Sequence, residues 1–152
     1  MPVSSAIAES NRTQTERLRR IAPRLDAGML AVRMPNGWTV AGTLAHLALW
    51  DRFRLSLMRR WAAGEPGSSI VDANVFNDSV QPLLEMIPHE SVAAAAVRAA
   101  EEIDALLLDL SDAVIAAALA RPDAKNLNLN RGSHRKHHLD RIEQALTGAG
   151  YS

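Results

Sequence analysis

Apolar residues recur every three or four positions along most of this chain, the period of a helix with one buried face, and no segment alternates as a half-buried strand does. A first helix is expected from about Ser5 to Val32, with Ile7, Leu18, Ile21, Leu25 and Leu30 turned inward. Pro23 falls inside it and should kink it, because an interior proline lacks a backbone donor and clashes with the preceding turn. Met34-Pro35-Asn36-Gly37 reads as a turn. A second helix starts near Thr39, whose hydroxyl suits an N-cap, and runs to about Ala63, where Gly64-Glu65-Pro66-Gly67 stops it. Ser68 to Ala73 reads as a loop. A third helical region spans Asn74 to Asp109 and is interrupted near Pro88, a residue able to restart a helix at its first position. Its apolar residues Val92, Val97, Ile103, Leu106, Leu107 and Leu110 keep helical spacing. A short helix from Ser111 to Ala120 follows. Arg121-Pro122-Asp123 and the Asn-rich stretch Asn126 to Asn130 then connect to a last helix, Arg131 to Leu146, ended by Gly148 and Gly150.

Long helices joined by loops predict an all-α protein, a four-helix bundle, as one domain over residues 1–152. The length suffices to bury a core. Composition refines this picture. Hydrophobic residues make up 47% of the chain but include only two Phe, one Tyr and three Trp, so packing rests on Ala, Leu, Val and Ile. Lys plus Arg and Asp plus Glu both number 17, and the formal charge is zero. Arg131, Arg135 and Lys136 form the densest basic cluster, too short for a nucleic-acid footprint, so no nucleic-acid partner is expected. No apolar run reaches membrane-spanning length, and Met1-Pro2-Val3-Ser4-Ser5 lacks the start of a signal peptide; a cytoplasmic protein without a membrane partner is expected. Without cysteine there is no disulfide, thiolate ligand or cysteine nucleophile, which leaves His, Asp, Glu or water for any metal.

Five histidines carry the candidate chemistry: His46, His89, His134, His137 and His138. His134 and His138 are four residues apart on the last helix, so they share one face, which continues through Ile142 and Ala145 with Leu139 and Leu146 beside it. Such a pair on a core-facing stripe suits two ligands of one metal. His137 points to the side, towards Arg141 and Gln144. His46 shares its stripe with Thr43, Trp50 and Phe53 and should face inward; as a third imidazole from another helix it would leave a coordination position open for water or substrate. The spacing is equally compatible with hydrogen-bonded core histidines. His89, beside Pro88 at a helix start, reads as exposed and without a role.

The segment Gly37-Trp38-Thr39-Val40-Ala41-Gly42-Thr43-Leu44-Ala45-His46-Leu47-Ala48-Leu49-Trp50-Asp51-Arg52 resembles the first signature of the DinB/YfiT-like superfamily, a W-T-(V)-x-x-x-L-x-H-L-x-x-(W) helix carrying the first metal histidine. His134-Arg135-Lys136-His137-His138-Leu139-Asp140-Arg141-Ile142 resembles its H-x-x-x-H helix. Between them, Asp72-Ala73-Asn74-Val75-Phe76-Asn77 is similar to the start of the third helix in the DfsB/ClbS-like and mycothiol-dependent maleylpyruvate isomerase-like branches. The resemblance implies an up-down-down-up four-helix bundle, a divalent ion (zinc or nickel) on His46, His134 and His138, and a homodimer. The chain departs from some mycothiol-dependent members in that it ends soon after the last helix, so their further C-terminal domain is not expected. Arg135 stands where those relatives often carry tyrosine; it could assist an anionic substrate, but a solvated side chain is the expectation.

The function so implied is metal-dependent chemistry on a small molecule, as a transferase using a low-molecular-weight thiol or as a hydrolase. The metal would lower the pKa of a bound water or thiol. Asp51 and Asn77 are candidates to contact substrate or sit behind the ligands, against plainer roles as a surface ion pair and a helix-start hydrogen bond. No Ser/His/Asp order, phosphate-binding glycine loop or paired acidic site offers a rival chemistry. A bundle that binds metal or a small ligand without turnover, and a dimeric scaffold with core histidines, are the alternatives. The Ala- and Arg-rich composition suggests a GC-rich bacterial genome, with mycothiol as the first thiol to try.

Overall fold

Each helix but one begins where a side chain can accept the orphan backbone N–H groups of its first turn. A computed structural model describes residues 3–65, 67, 72–122, 124 and 127–151. Among these there are seven α-helices and no strand: α1 (Ser5–Ile21), α2 (Ala27–Ala31), α3 (Val40–Ala62), α4 (Ala73–Leu84), α5 (His89–Asp109), α6 (Asp112–Leu119) and α7 (Arg131–Gly148). Ser4, Asp26, Thr39, Asp72, Ser111 and Asn130 cap α1, α2, α3, α4, α6 and α7 in turn through their side-chain oxygens. Pro88 precedes α5 as its N-cap and, lacking a side-chain acceptor, makes no capping bond.

The first predicted helix is corrected. It does not run kinked to Val32 but stops at Ile21, passes through a 3₁₀ turn at Ala22–Arg24, and restarts as the one-turn α2. Leu25 turns to the extended region (φ −80°, ψ 104°), and the Asp26 carboxylate then accepts from Met29 N (2.8 Å), so a second cap competes with a bent continuous helix. Leu18 and Leu30 are buried, whereas Ile7, Ile21 and Leu25 are half-buried. The turn at Met34–Gly37 forms as expected, closed by Gly37 N to Met34 O (2.9 Å) with Gly37 at φ 85°. Residues 68–71 of the predicted loop, and Asp123 and Asn126 of the connection before α7, lie outside the described residues.

The long helices α1, α3, α5 and α7 pack in a ring: α3 lies against α5 and α7, and α1 against α5 and α7. Two apolar clusters fill the space. One gathers Leu18, Val40, Leu44, Leu47, Ala96 and Leu139; the other gathers Leu55, Met58, Trp61, Ile103, Leu107 and Ile115. On α3 the first cluster ends at Leu47 and the second begins at Leu55, with the buried Asp51 midway. A polar layer therefore crosses the core at that level, and it supports the histidines. No helix among the described residues is long and apolar enough to cross a membrane.

Candidate metal centre

Helix α3 is buried on every side from Val40 to Leu47, and this carries His46 into the interior at 2% exposure. Its N-terminus is tied twice. Thr39 Oγ1 accepts from Gly42 N (2.9 Å), and the Glu85 carboxylate at the end of α4 accepts from Thr39 N (3.0 Å) and Thr39 Oγ1 (2.6 Å). Gly42 allows this approach, since a Cβ there would collide with the Glu85 carboxylate. On α7 the analogous device is Gly132, where a Cβ would run into the backbone carbonyl of Ser10 on α1. The Gly132 N–H instead donates to the buried Asn11 Oδ1 (2.7 Å).

These helices bring His46, His134 and His138 together. Their ring centroids are 5.4 Å (His46–His134), 4.7 Å (His46–His138) and 4.8 Å (His134–His138) apart. One nitrogen from each lies within 4.8 Å of the others, so the group can hold a metal ion. Nitrogens about 2.0–2.1 Å from a tetrahedral ion stand roughly 3.4 Å from one another; rotamer shifts of about an ångström close the difference. Burial, then the charge of Arg131, pushes His46 down to about 4. Burial followed by the neighbouring His46 brings His138 to about 3, and burial with Arg131 holds His134 far below the ordinary imidazole range. At neutral pH all three are uncharged, the form that binds metal. His46 Nδ1 is buried with no hydrogen-bond partner, an orphan that a bound ion would satisfy. His137 is exposed, 5.0 Å from His138 between ring centroids, and does not join the cluster; His89 is half-buried at the start of α5 and lines a different cavity, with Arg19 and Val97.

The groups behind the histidines differ from expectation. Arg135 is not solvated: it is 0% exposed, with Nε donating to Asp51 Oδ2 (2.9 Å) and Nη1 to Asp104 (2.9 and 3.0 Å) and Thr15 Oγ1 (2.9 Å). Turned into the core and absent from the lining of the cavity beside the histidines, it is not placed to meet a substrate there. Asp51 is likewise no surface ion pair. At 1% exposure it bridges Arg135 and Arg131, whose Nε donates to Oδ1 at 2.8 Å. Arg131 in turn contacts His134 Nδ1 through Nη2 (3.0 Å), so Asp51 reaches the cluster through one intermediary. Arginine can only donate, and His134 therefore accepts at Nδ1. Binding a metal through its Nε2 requires the ring proton to move to Nδ1 and the Arg131 contact to open. Asn77 makes no helix-start bond, which Asp72 supplies; its Oδ1 accepts from Trp50 Nε1 (3.0 Å).

A cavity of about 490 Å³ opens onto the histidines, with Trp38, Trp50, Arg54, Asn77, Asn128 and Arg131 in its walls. Asn128 holds a left-handed backbone (φ 47°), tolerable for asparagine, and turning its amide over would place the oxygen to accept from Arg131 Nη1 at 3.0 Å. Among the described residues no carboxylate lines this cavity. Sequence reasoning missed Arg54, Arg131, Asp104, Asn11 and Thr15. A signal existed for Arg131: it precedes Arg135, His138, Ile142 and Leu146 on one helical stripe, though charge argues for the surface. Compared with protein-family models, curated proteins and solved structures, the chain matches none.

Proposed function

We propose that this chain is a divalent-metal-dependent protein of the DinB-like superfamily, an up-down-down-up four-helix bundle working on a small molecule in the bacterial cytoplasm. One observation carries the reading: the buried His46 from α3 and, from α7, the half-buried His134 and buried His138 converge, all neutral, in the wall of a ligand-sized cavity. The ring of α1, α3, α5 and α7 supports the bundle. A bound zinc or nickel ion would act there as a Lewis acid and lower the pKa of a water or thiol. The chain's own part is to present three imidazoles from α3 and α7, with the Asp51–Arg131 pair anchoring α7 to α3 behind His134, to exclude bulk water with Trp38 and Trp50, and to leave one side open. A low-molecular-weight-thiol transferase or a hydrolase is the activity this arrangement serves.

A second reading, metal or ligand binding without turnover, draws on the cavity wall: no described carboxylate is placed to act as a general base. Elemental analysis of protein purified without a histidine tag tests the metal. About one zinc or nickel per chain is expected, lost in both His46→Ala and His138→Ala; stoichiometric metal in either variant refutes the ligand set. Turnover of electrophilic acceptors with mycothiol, bacillithiol or glutathione then separates enzyme from binder.

A further inference from the structure

Arg54 lies two helical turns beyond His46 on α3, about 12 Å along the axis. It is only 7% exposed, and neither Nε nor Nη1 has a hydrogen-bond partner. Its guanidinium carbon sits 5.4 Å from the Trp50 ring centre and 5.1 Å from that of Phe53. Aromatic faces attract the charge but leave its N–H groups unsatisfied, and a buried donor without a partner is destabilising until a ligand supplies one. Arg131 and Arg135, equally buried, show the contrast, for Asp51 and Asp104 neutralise them. Burial, then the charge of Arg131, lowers Arg54 to about 10, so it stays a cation at neutral pH, and no described acidic group acts on it in the opposite direction.

Behind the cavity, Arg131 and Arg135 are thus neutralised by Asp51 and Asp104, whereas Arg54, which shares the cavity wall with the exposed Arg141, faces no described carboxylate there. A buried guanidinium with unused planar donors, in a cavity without a described carboxylate, suits the flat oxygen pair of a carboxylate. We infer that the Arg54 end of this cavity is a subsite for the carboxylate of a small acidic ligand, whose other end lies towards the three histidines. This extends the reading of the cavity as a substrate site and assigns the substrate's class. Anion recognition, an option the sequence offered for Arg135, falls in this inference to Arg54, since Arg135 lies behind the cavity and outside its lining.

The test uses metal-free, full-length protein and follows the Arg54 Nε–H signal by ¹H–¹⁵N NMR, assigned with Arg54→Lys, during titration with benzoate and with benzamide. Benzoate should shift that signal saturably, with affinity on the order of tenfold or more above benzamide, the value of one charge-assisted hydrogen bond. Measured by calorimetric titration of the same two compounds, Arg54→Met should lose the preference while its melting transition shows it folded, and Arg54→Lys should keep it. Equal responses to both compounds, a shift that chloride reproduces, or tighter binding of phenylphosphonate would each overturn the subsite. Because no metal is present, this result stands apart from that of the histidines. Benzoate selectivity without zinc binding defeats only the metal centre, and zinc binding without selectivity defeats only this subsite.

Discussion

His46 keeps a neutral ring in a place where a proton would have to be buried with it, and this ties stability to pH. Its native pKa of about 4, and about 3 for His138, lie below the value near 6.5 of an unfolded chain. The unfolded state therefore binds more protons on the acid side. The metal-free protein should be indifferent to these residues above pH 7 and lose stability as pH falls below 6.5, by about 1.4 kcal/mol per pH unit for each histidine between its two pKa values. Chemical denaturation at stepped pH reads this directly. The loss should begin above the range where carboxylates titrate and shrink in His46→Gln; a flat profile from pH 7 to 5 contradicts it. Asp51 is the other decisive residue, with one carboxylate serving two buried guanidinium groups. Asp51→Asn should cost about 3–5 kcal/mol, since removing one member of a buried ion cluster strands its partners. A change under about 1 kcal/mol would show that the polar layer is far wetter than its burial indicates.

Helices α1 and α7 approach through Gly132 against the Ser10 carbonyl, and the register of His134 and His138 depends on that contact. Gly132→Ala should destabilise by about 1–3 kcal/mol, as overpacked sites do. Gly148 is also helical, but a Cβ added there would have nothing within 4 Å, so Gly148→Ala should instead stabilise by up to about 1 kcal/mol. Thermal melts of the pair decide the point; the same sign in both would deny the close approach. Element boundaries were legible wherever a cap is a local matter, as at Thr39 and Ser111. Leu18 through Leu30 was not, because helical periodicity persists across a break that Asp26 imposes by capping a new turn. Arg131 and Arg135 were misplaced for another reason: burial of a charge depends on carboxylates from α3 and α5, far away in sequence. Arg54 was invisible for the converse reason, since its lack of a partner exists only in three dimensions.

For the whole molecule, α4 and the turn after it present Val75, Leu83 and Met86 to solvent at 63%, 63% and 77% exposure. The homodimer expected from the family resemblance would cover such a face. Sedimentation analysis should then show a dimer that Leu83→Glu with Met86→Glu converts to monomer, and a monomeric parent protein would contradict it. The polar layer, the capped helices and the ring of long helices all serve the three histidines, so the account turns on whether they bind metal. The most direct measurement is metal content together with thermal stability of tag-free protein, before and after addition of zinc or nickel. About one ion per chain and a raised melting temperature, both abolished in His46→Ala and in His138→Ala, are predicted; a metal-free protein whose melting temperature ignores both ions would contradict the account.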